Sequence, residues 1–266
     1  MKIITLIENL VYKRGLYAEH GLAIYIETKN KKILFDTGQS GLFLENAKKL
    51  GIDIGEIDAL VLSHGHYDHT GGLYPFLEKN SKAKIYAKRG VFTPKYNKNE
   101  VPNGTVEHDS LLHERLVYVE TVTELDQNFF IFPEITIHHA VDTNFKGSFQ
   151  IIEGQMVQDE FKDELFVVIK QKKHINIITG CSHRGITNIC TTATMHFDLP
   201  VRLILGGFHL KKCSIEQFAH VTNFIRELQP KSLGICHCTG IEKYAEMYSR
   251  CNSHLFYNDV GNIITL

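Results

Sequence analysis

The chain has 266 residues, 43% hydrophobic and 22% charged, with a formal net charge of −1 at pH 7. That balance excludes a broad basic face for nucleic acid and an acidic solvating tail, and the apolar content suffices for the core of one large domain spanning 1–266. The first apolar run is broken at Glu8, and no window reaches the roughly eighteen apolar residues of a membrane span, so a cytoplasmic protein without membrane or nucleic-acid partner is expected.

Residues 2–7 read as a strand, and 22–27 with 32–35 as a hairpin about Lys29-Asn30-Lys31. The second hairpin strand ends at Asp36-Thr37-Gly38. Ser40 suits the N-cap of a helix over 42–50, which Gly51 closes. A strand over 57–62 delivers Ser63, His64, Gly65, His66, Tyr67, Asp68, His69 and Thr70, and Gly71-Gly72 frees a helix over 70–78. After a strand at 84–87 the periodicity is lost: Pro94, Pro102 and Asn103-Gly104 mark a long irregular segment over 88–115. Such a segment is a lid, a binding loop or a solvated insertion. Its Arg89, Lys95, Tyr96, His108, His113 and Arg115 are candidates to meet an anionic small-molecule substrate.

Strands at 116–122, 129–132 and 135–138 suggest a meander, and 165–170 with 175–179 a hairpin about Gln171-Lys172-Lys173. Strand-loop-helix units follow. Gly180-Cys181-Ser182-His183-Arg184-Gly185 opens a helix over 186–195. Gly206-Gly207-Phe208-His209 follows a strand at 201–205 and precedes a helix over 214–228. Cys236-His237-Cys238-Thr239-Gly240 follows a strand at 233–235 and precedes a helix over 241–250 and a closing strand. This order predicts an α/β fold with two sheets face to face, helices outside, and a site where strand ends converge. All six cysteines lie in the last third of the chain, unlike a secreted disulfide framework, and are expected to be reduced, with one or two near the site.

The chemistry concentrates in His64, His66, Asp68 and His69, four metal-binding side chains within six positions after an apolar strand. Imidazole and carboxylate suit divalent zinc, iron or manganese, and alternating histidines on a turn can meet one ion while Asp68 and His69 meet a neighbouring one. A histidine-rich polar loop is the bland alternative. Further candidates stand at strand ends: Asp36, Cys181, His183, His209 and His237.

Together these motifs resemble the metallo-β-lactamase superfamily, and the phrases around Asp36, Cys181, His209 and His237 resemble its dihydropterin ribofuranosyl-aminobenzene phosphate synthase-like branch of metal-dependent hydrolases. The resemblance implies a four-layer αββα sandwich of two mixed β-sheets. It implies two divalent ions, zinc first and iron or manganese as alternatives. His64 and His66 would bind the first ion and Asp68, His69 and His237 the second, with Asp36 orienting the histidine loop. The histidine usual before a bridging aspartate is missing. Cys181 stands where that aspartate belongs, His183 is expected to supply the imidazole, and Cys181 remains a possible thiolate ligand. His138 and His139 are weaker substitutes. Cys236 and Cys238, flanking His237 on a strand, are expected to face away from it.

The implied activity is metal-dependent hydrolysis of an ester, phosphodiester, lactone or thioester, with Asp68 orienting water and His209 touching substrate or a leaving oxygen. An aspartic-protease reading of Asp36-Thr37-Gly38 lacks a second copy. A di-iron redox protein, whose relatives carry Glu at the place of His66 and a flavin domain, and a non-catalytic metal sensor are the alternatives on the same fold.

Overall fold

The computed structural model describes residues 1–108, 112 and 114–266, and the chain divides into two compact units. The first comprises Met1–Glu120, Lys146–Asp163 and Asp259–Leu266, the second Thr121–Phe145 and Glu164–Asn258.

The first unit holds strands β1 (Lys2–Ile7), β2 (Ala23–Glu27), β3 (Lys32–Phe35), β4 (Ala59–Val61), β5 (Lys84–Ala87), β7 (Leu116–Tyr118) and β17 (Ile263–Thr265), in the sheet order β17-β1-β2-β3-β4-β5-β7. Pairing is antiparallel from β17 to β3 and parallel from β3 to β7. Helices α1 (Leu42–Lys49) and α3 (Leu73–Lys79) pack Phe43, Ala47, Leu73 and Phe76 on Leu6, Leu34 and Leu60. The opposite parity, Ile33, Phe35 and Val61, is buried as well, which is why β3 and β4 read as unbroken apolar runs. A small sheet, β11-β10-β6, joins β6 (Lys95–Asn97), β10 (Ser148–Ile152) and β11 (Gln155–Gln158).

The second unit mirrors this plan. Its strands β8 (Thr123–Asp126), β9 (Phe129–Phe132), β12 (Phe166–Gln171), β13 (His174–Ile178), β14 (Val201–Gly206), β15 (Ser232–Ile235) and β16 (His254–Tyr257) run in the order β16-β15-β14-β13-β12-β9-β8. Strands β13 to β16 are parallel and the others antiparallel. Helices α4 (Ile186–Phe197), α5 (Ile215–Leu228) and α6 (Ile241–Tyr248) bury Ile189, Val221 and Met247 against Ile177, Ile204 and Leu233. Ser214, read from the sequence as the first helical residue, is the N-cap of α5, its hydroxyl accepting from Gln217 N at 3.0 Å.

Several expectations need correction. The helix expected over 70–78 is two: α2 (Tyr67–Thr70) begins inside the histidine motif, and α3 follows the break at Gly71-Gly72. Those glycines are required because a Cβ on either would run into the carbonyls of Gln39 and Thr37. The expected strand over 116–122 is shorter, only Leu116–Tyr118 forming β7 in the first unit's sheet, and β8 in the second unit's sheet begins beyond it at Thr123. Residues 135–138 form no strand: the peptide N–H groups of His138 and His139 both donate to Asn188 Oδ1, at 2.8 and 2.7 Å. Strands β6, β10 and β11 carry half-exposed residues without clean alternation, so no periodicity marked them.

Asp142 ties α4 and α5 together: its Oδ2 accepts from Thr187 N and Oγ1, both at 2.9 Å, and its Oδ1 from Gln217 Nε2 at 3.4 Å. Burial lifts its carboxyl from 3.8 to about 6, against the pull of these hydrogen bonds. Between roughly pH 4 and 6 the folded state therefore binds more protons than the unfolded one, and this group's contribution to stability falls as pH rises. Asp142→Asn should remove that slope. Urea unfolding from pH 4 to 7 is expected to show the variant gaining on the native protein by up to about 3 kcal/mol between pH 4 and 6; a difference independent of pH would contradict this.

Candidate metal centre

Every candidate ligand follows the C-terminal end of a parallel strand, where α/β sheets place their ligand sites. In the first unit β3 and β4 are parallel neighbours with Phe35 opposite Val61, so Asp36 and Ser63 emerge side by side. Asp36 is fully buried at φ +59°, and its N–H donates to Val61 O at 2.9 Å. Its Oδ1 accepts from Ser63 N at 2.7 Å, and its Oδ2 from Ser63 Oγ at 2.7 Å and His69 Nδ1 at 2.6 Å.

This carboxylate fixes two tautomers. It has no proton to give, so His69 must carry its proton on Nδ1, and Ser63 must spend its hydroxyl proton on Asp36. The hydroxyl oxygen, 2.9 Å from His64 Nδ1, then acts as acceptor, so His64 also carries its proton on Nδ1. Both rings present Nε2 lone pairs, the form a metal takes. Burial, then the neighbouring His69 and His66, push His64's pKa well below the usual imidazole range and keep the ring neutral. The His64 ring lies 4.4 Å from that of His69 and 4.9 Å from that of His66, centroid to centroid.

Asp68 lies in the first turn of α2 and is nearly buried, with Oδ2 3.8 Å from His69 Nε2 and 3.2 Å from His20 Nε2. Leu22 N donates to Asp68 O at 3.2 Å, and Gly21, at φ +150°, lets that loop lie flat on it. Asn103 Nδ2 approaches His66 Nε2 at 3.4 Å, and Tyr67 N donates to Asn103 O at 2.9 Å. His20 and Asn103 escaped sequence reading: a lone loop histidine and an Asn-Gly turn carry no signal of a distant partner.

In the second unit the parallel neighbours β13, β14 and β15 lead to Cys181 and His183, to His209, and to His237. Cys181, His183 and His237 are buried. Glu164 holds the His183 loop by accepting from the N–H groups of His183 and Arg184, both at 2.7 Å, and Asn144 N donates to His183 O at 2.7 Å. The His183 and His209 rings lie 4.4 Å apart. Residues 237–239 form a 3-10 turn starting at His237, φ +54°, so strand alternation fails for Cys238. Far from facing away, Cys238 joins Cys181 and His237 in a group whose potential ligand atoms all lie within 4.8 Å of one another, and its thiol donates to Cys181 O at 3.4 Å. Cys236 is buried at the strand end, and none of the six cysteines is joined in a disulfide.

Backbone conformation marks the same loops. Of the ten non-glycine residues at positive φ among the described residues, Asp198 and Gln229 close helices and Glu100, Asn128 and Glu153 lie in turns. The other five are Asp36, Ser182, His209 and His237 at the strand ends, and Phe161 against the rings of His64 and His66. Non-glycine residues held there cost energy and cluster at functional sites.

The basic residues of the irregular segment are mostly engaged elsewhere. Lys95 is buried between Asp159 and Asp163, Arg115 donates to Ala83 O and Asn80, and Arg89 pairs with Glu120. Tyr96 pairs in β6, the His108 ring packs on Tyr74, and His113 lies outside the described residues. The donor sets, imidazole with carboxylate in the first unit and imidazole with thiol in the second, are of the kind that can hold a divalent metal ion.

Residues 16–148 match the family model of the metallo-β-lactamase superfamily. An uncharacterized protein of Methanocaldococcus jannaschii is 31% identical, covering 97% of this chain and 98% of its own. A 7,8-dihydropterin-6-methyl-4-(β-D-ribofuranosyl)-aminobenzene-5′-phosphate synthase of the same organism is 29% identical, covering 95% of each, which agrees with the branch the motifs resemble. The crystal structure of Tm1679, named as a metal-dependent hydrolase of the β-lactamase superfamily, superposes with a TM-score of 0.89 at 29% identity, covering 100% of this chain and 99% of its own. Among the described residues no helix is long and apolar enough to cross a membrane. With a strand-end histidine motif, two mixed sheets and relatives along its whole length, the chain belongs to the metallo-β-lactamase superfamily.

Proposed function

We propose that this protein is a metal-dependent hydrolase of small-molecule esters, phosphodiesters, lactones or thioesters, with His64, His66, Asp68 and His69 as the metal ligands of the first unit and Cys181, His183 and His237 as those of the second. The observation that carries the metal reading is the buried Asp36 carboxylate, which orients two imidazoles with Nε2 presented as donors. The hydrolytic reading is supported by the name of Tm1679 at whole-chain similarity.

A bound divalent cation, zinc first among the candidates, would supply an acidified water near neutral pH and a Lewis acid for a developing oxyanion. The chain's own residues do the rest. Asp68 is nearly buried and held from one side by His20, which suits it to orient water and take up its proton at Oδ2. His209 would donate to a substrate oxygen, a role supported by its positive φ and its ring lying beside that of His183. Cys238 adds a thiol that competes with Cys181 for the same role. The name of the M. jannaschii synthase supports a second reading, a bond-forming reaction on a phosphorylated ribosyl substrate.

His66→Ala should abolish turnover while circular dichroism shows the fold intact. A screen of phosphodiester, lactone and thioester substrates with and without a chelator is expected to find a chelator-sensitive hydrolysis; full activity in the variant, or activity indifferent to chelation, would overturn the assignment.

Asp36→Asn tests the tautomer argument. Ser63 N can only donate, so it claims the amide oxygen and turns the NH2 group toward His69 Nδ1 and Ser63 Oγ. His69 must then move its proton to Nε2. Zinc affinity should fall roughly ten- to a hundredfold with the protein still folded, measured by competition with a chromogenic chelator; unchanged affinity would show that Asp36 does not set the ligand.

A further inference from the structure

The two alternating histidines are separated by Gly65, whose N–H donates to Asp163 Oδ2 at 2.8 Å. A Cβ at Gly65 would run into Val91 O and come within 2.9 Å of Lys95 Cε, so the turn lies directly on this cluster. The other oxygen of Asp163 is held by Lys95 Nζ at 3.0 Å, and the same ammonium reaches Asp159 Oδ2 at 2.6 Å. The side chains of Lys95, Asp159 and Asp163 are 1%, 1% and 3% exposed. Asp159 Oδ1 accepts from Phe161 N at 2.7 Å, and Phe161, at φ +50°, sets its ring 5.1 Å from that of His66 and 6.1 Å from that of His64.

All of these groups belong to one accessory piece. Lys95 lies on β6, and Asp159, Phe161 and Asp163 follow β11 in the three-stranded sheet. Burial pushes the Lys95 ammonium down, but Asp163 and Asp159 outweigh it and raise its pKa, so the cation persists. Three buried charges are a poor route to stability, since apolar packing of the same volume serves as well or better. What the cluster supplies, and apolar side chains cannot, is a carboxylate immobilised at both oxygens against the peptide between two candidate ligands.

We propose that Lys95, Asp159 and Asp163 are positioning residues that clamp the Gly65 peptide and hold His64 and His66 ready for metal, making the β6-β10-β11 sheet part of the metal centre's support. This rests on the metal reading above. No direct contact of the three with metal is implied; they act through the turn.

Asp163→Ala removes the acceptor for Gly65 N and leaves Lys95 and Asp159 as a neutral pair. Two quantities are measured on the full chain: zinc affinity by chelator competition, and the imidazole 15N resonances of His64 and His66 in the metal-free protein. Affinity is expected to fall roughly ten- to a hundredfold, and both sets of resonances to shift, with the circular dichroism spectrum unchanged. Affinity within twofold of the native protein together with unmoved resonances would overturn the proposal. If Asp163→Ala does not fold, Lys95→Met combined with Asp159→Asn, which retains the net charge of the cluster, is judged by the same two criteria. If the native protein takes up no zinc, the metal reading has failed, and the metal-free resonances alone decide whether the clamp positions the histidines.

Discussion

One buried carboxylate does most to make the histidine motif chemically specific. Asp36 lies beyond the end of β3, in a left-handed backbone conformation that aspartate tolerates better than most residues, and it spends both oxygens on the loop leaving the adjacent strand β4. A histidine can present either nitrogen, and only a fixed acceptor removes the choice. The direct bond to His69 and the relay through Ser63 to His64 remove it twice with one side chain. Burial then keeps His64 neutral, so protonation state and tautomer are both set before any cation arrives.

The sheet order explains why this is possible. Parallel neighbours bring the ends of β3 and β4 together in one unit and those of β13, β14 and β15 together in the other. Residues remote in sequence thereby emerge in one row, and each loop must turn sharply away from its strand. The positive φ of Asp36, Ser182, His209 and His237 is the local cost of those turns. Asp163 accepts from Gly65 N, Glu164 accepts from His183 N and Asn144 N donates to His183 O, so side chains and peptides from elsewhere in each unit hold the His64 and His183 loops in place.

Much of this was legible in the sequence, for identifiable reasons. The apolar runs at β3, β4, β13, β14 and β15, each followed by glycine and polar residues, announced strand ends, and His64, His66, Asp68 and His69 stood out as candidate donors. What stayed hidden depends on tertiary contact. Lys95 reads from the sequence as a candidate to meet an anionic substrate because its two carboxylate partners lie more than sixty positions away. Cys238 was misread because strand alternation was extended one residue too far, past the start of a 3-10 turn. His20 and Asn103 become noteworthy only once Asp68 and His66 are seen beside them.

The central claim is that histidines at strand ends hold a divalent cation through Nε2. Zinc-edge X-ray absorption on the zinc-loaded protein tests it most directly. The account predicts bound zinc with nitrogen and oxygen neighbours at about 2.0–2.1 Å and the multiple scattering of several imidazoles. Protein that retains no zinc, or zinc whose spectrum lacks imidazole scattering, would contradict it.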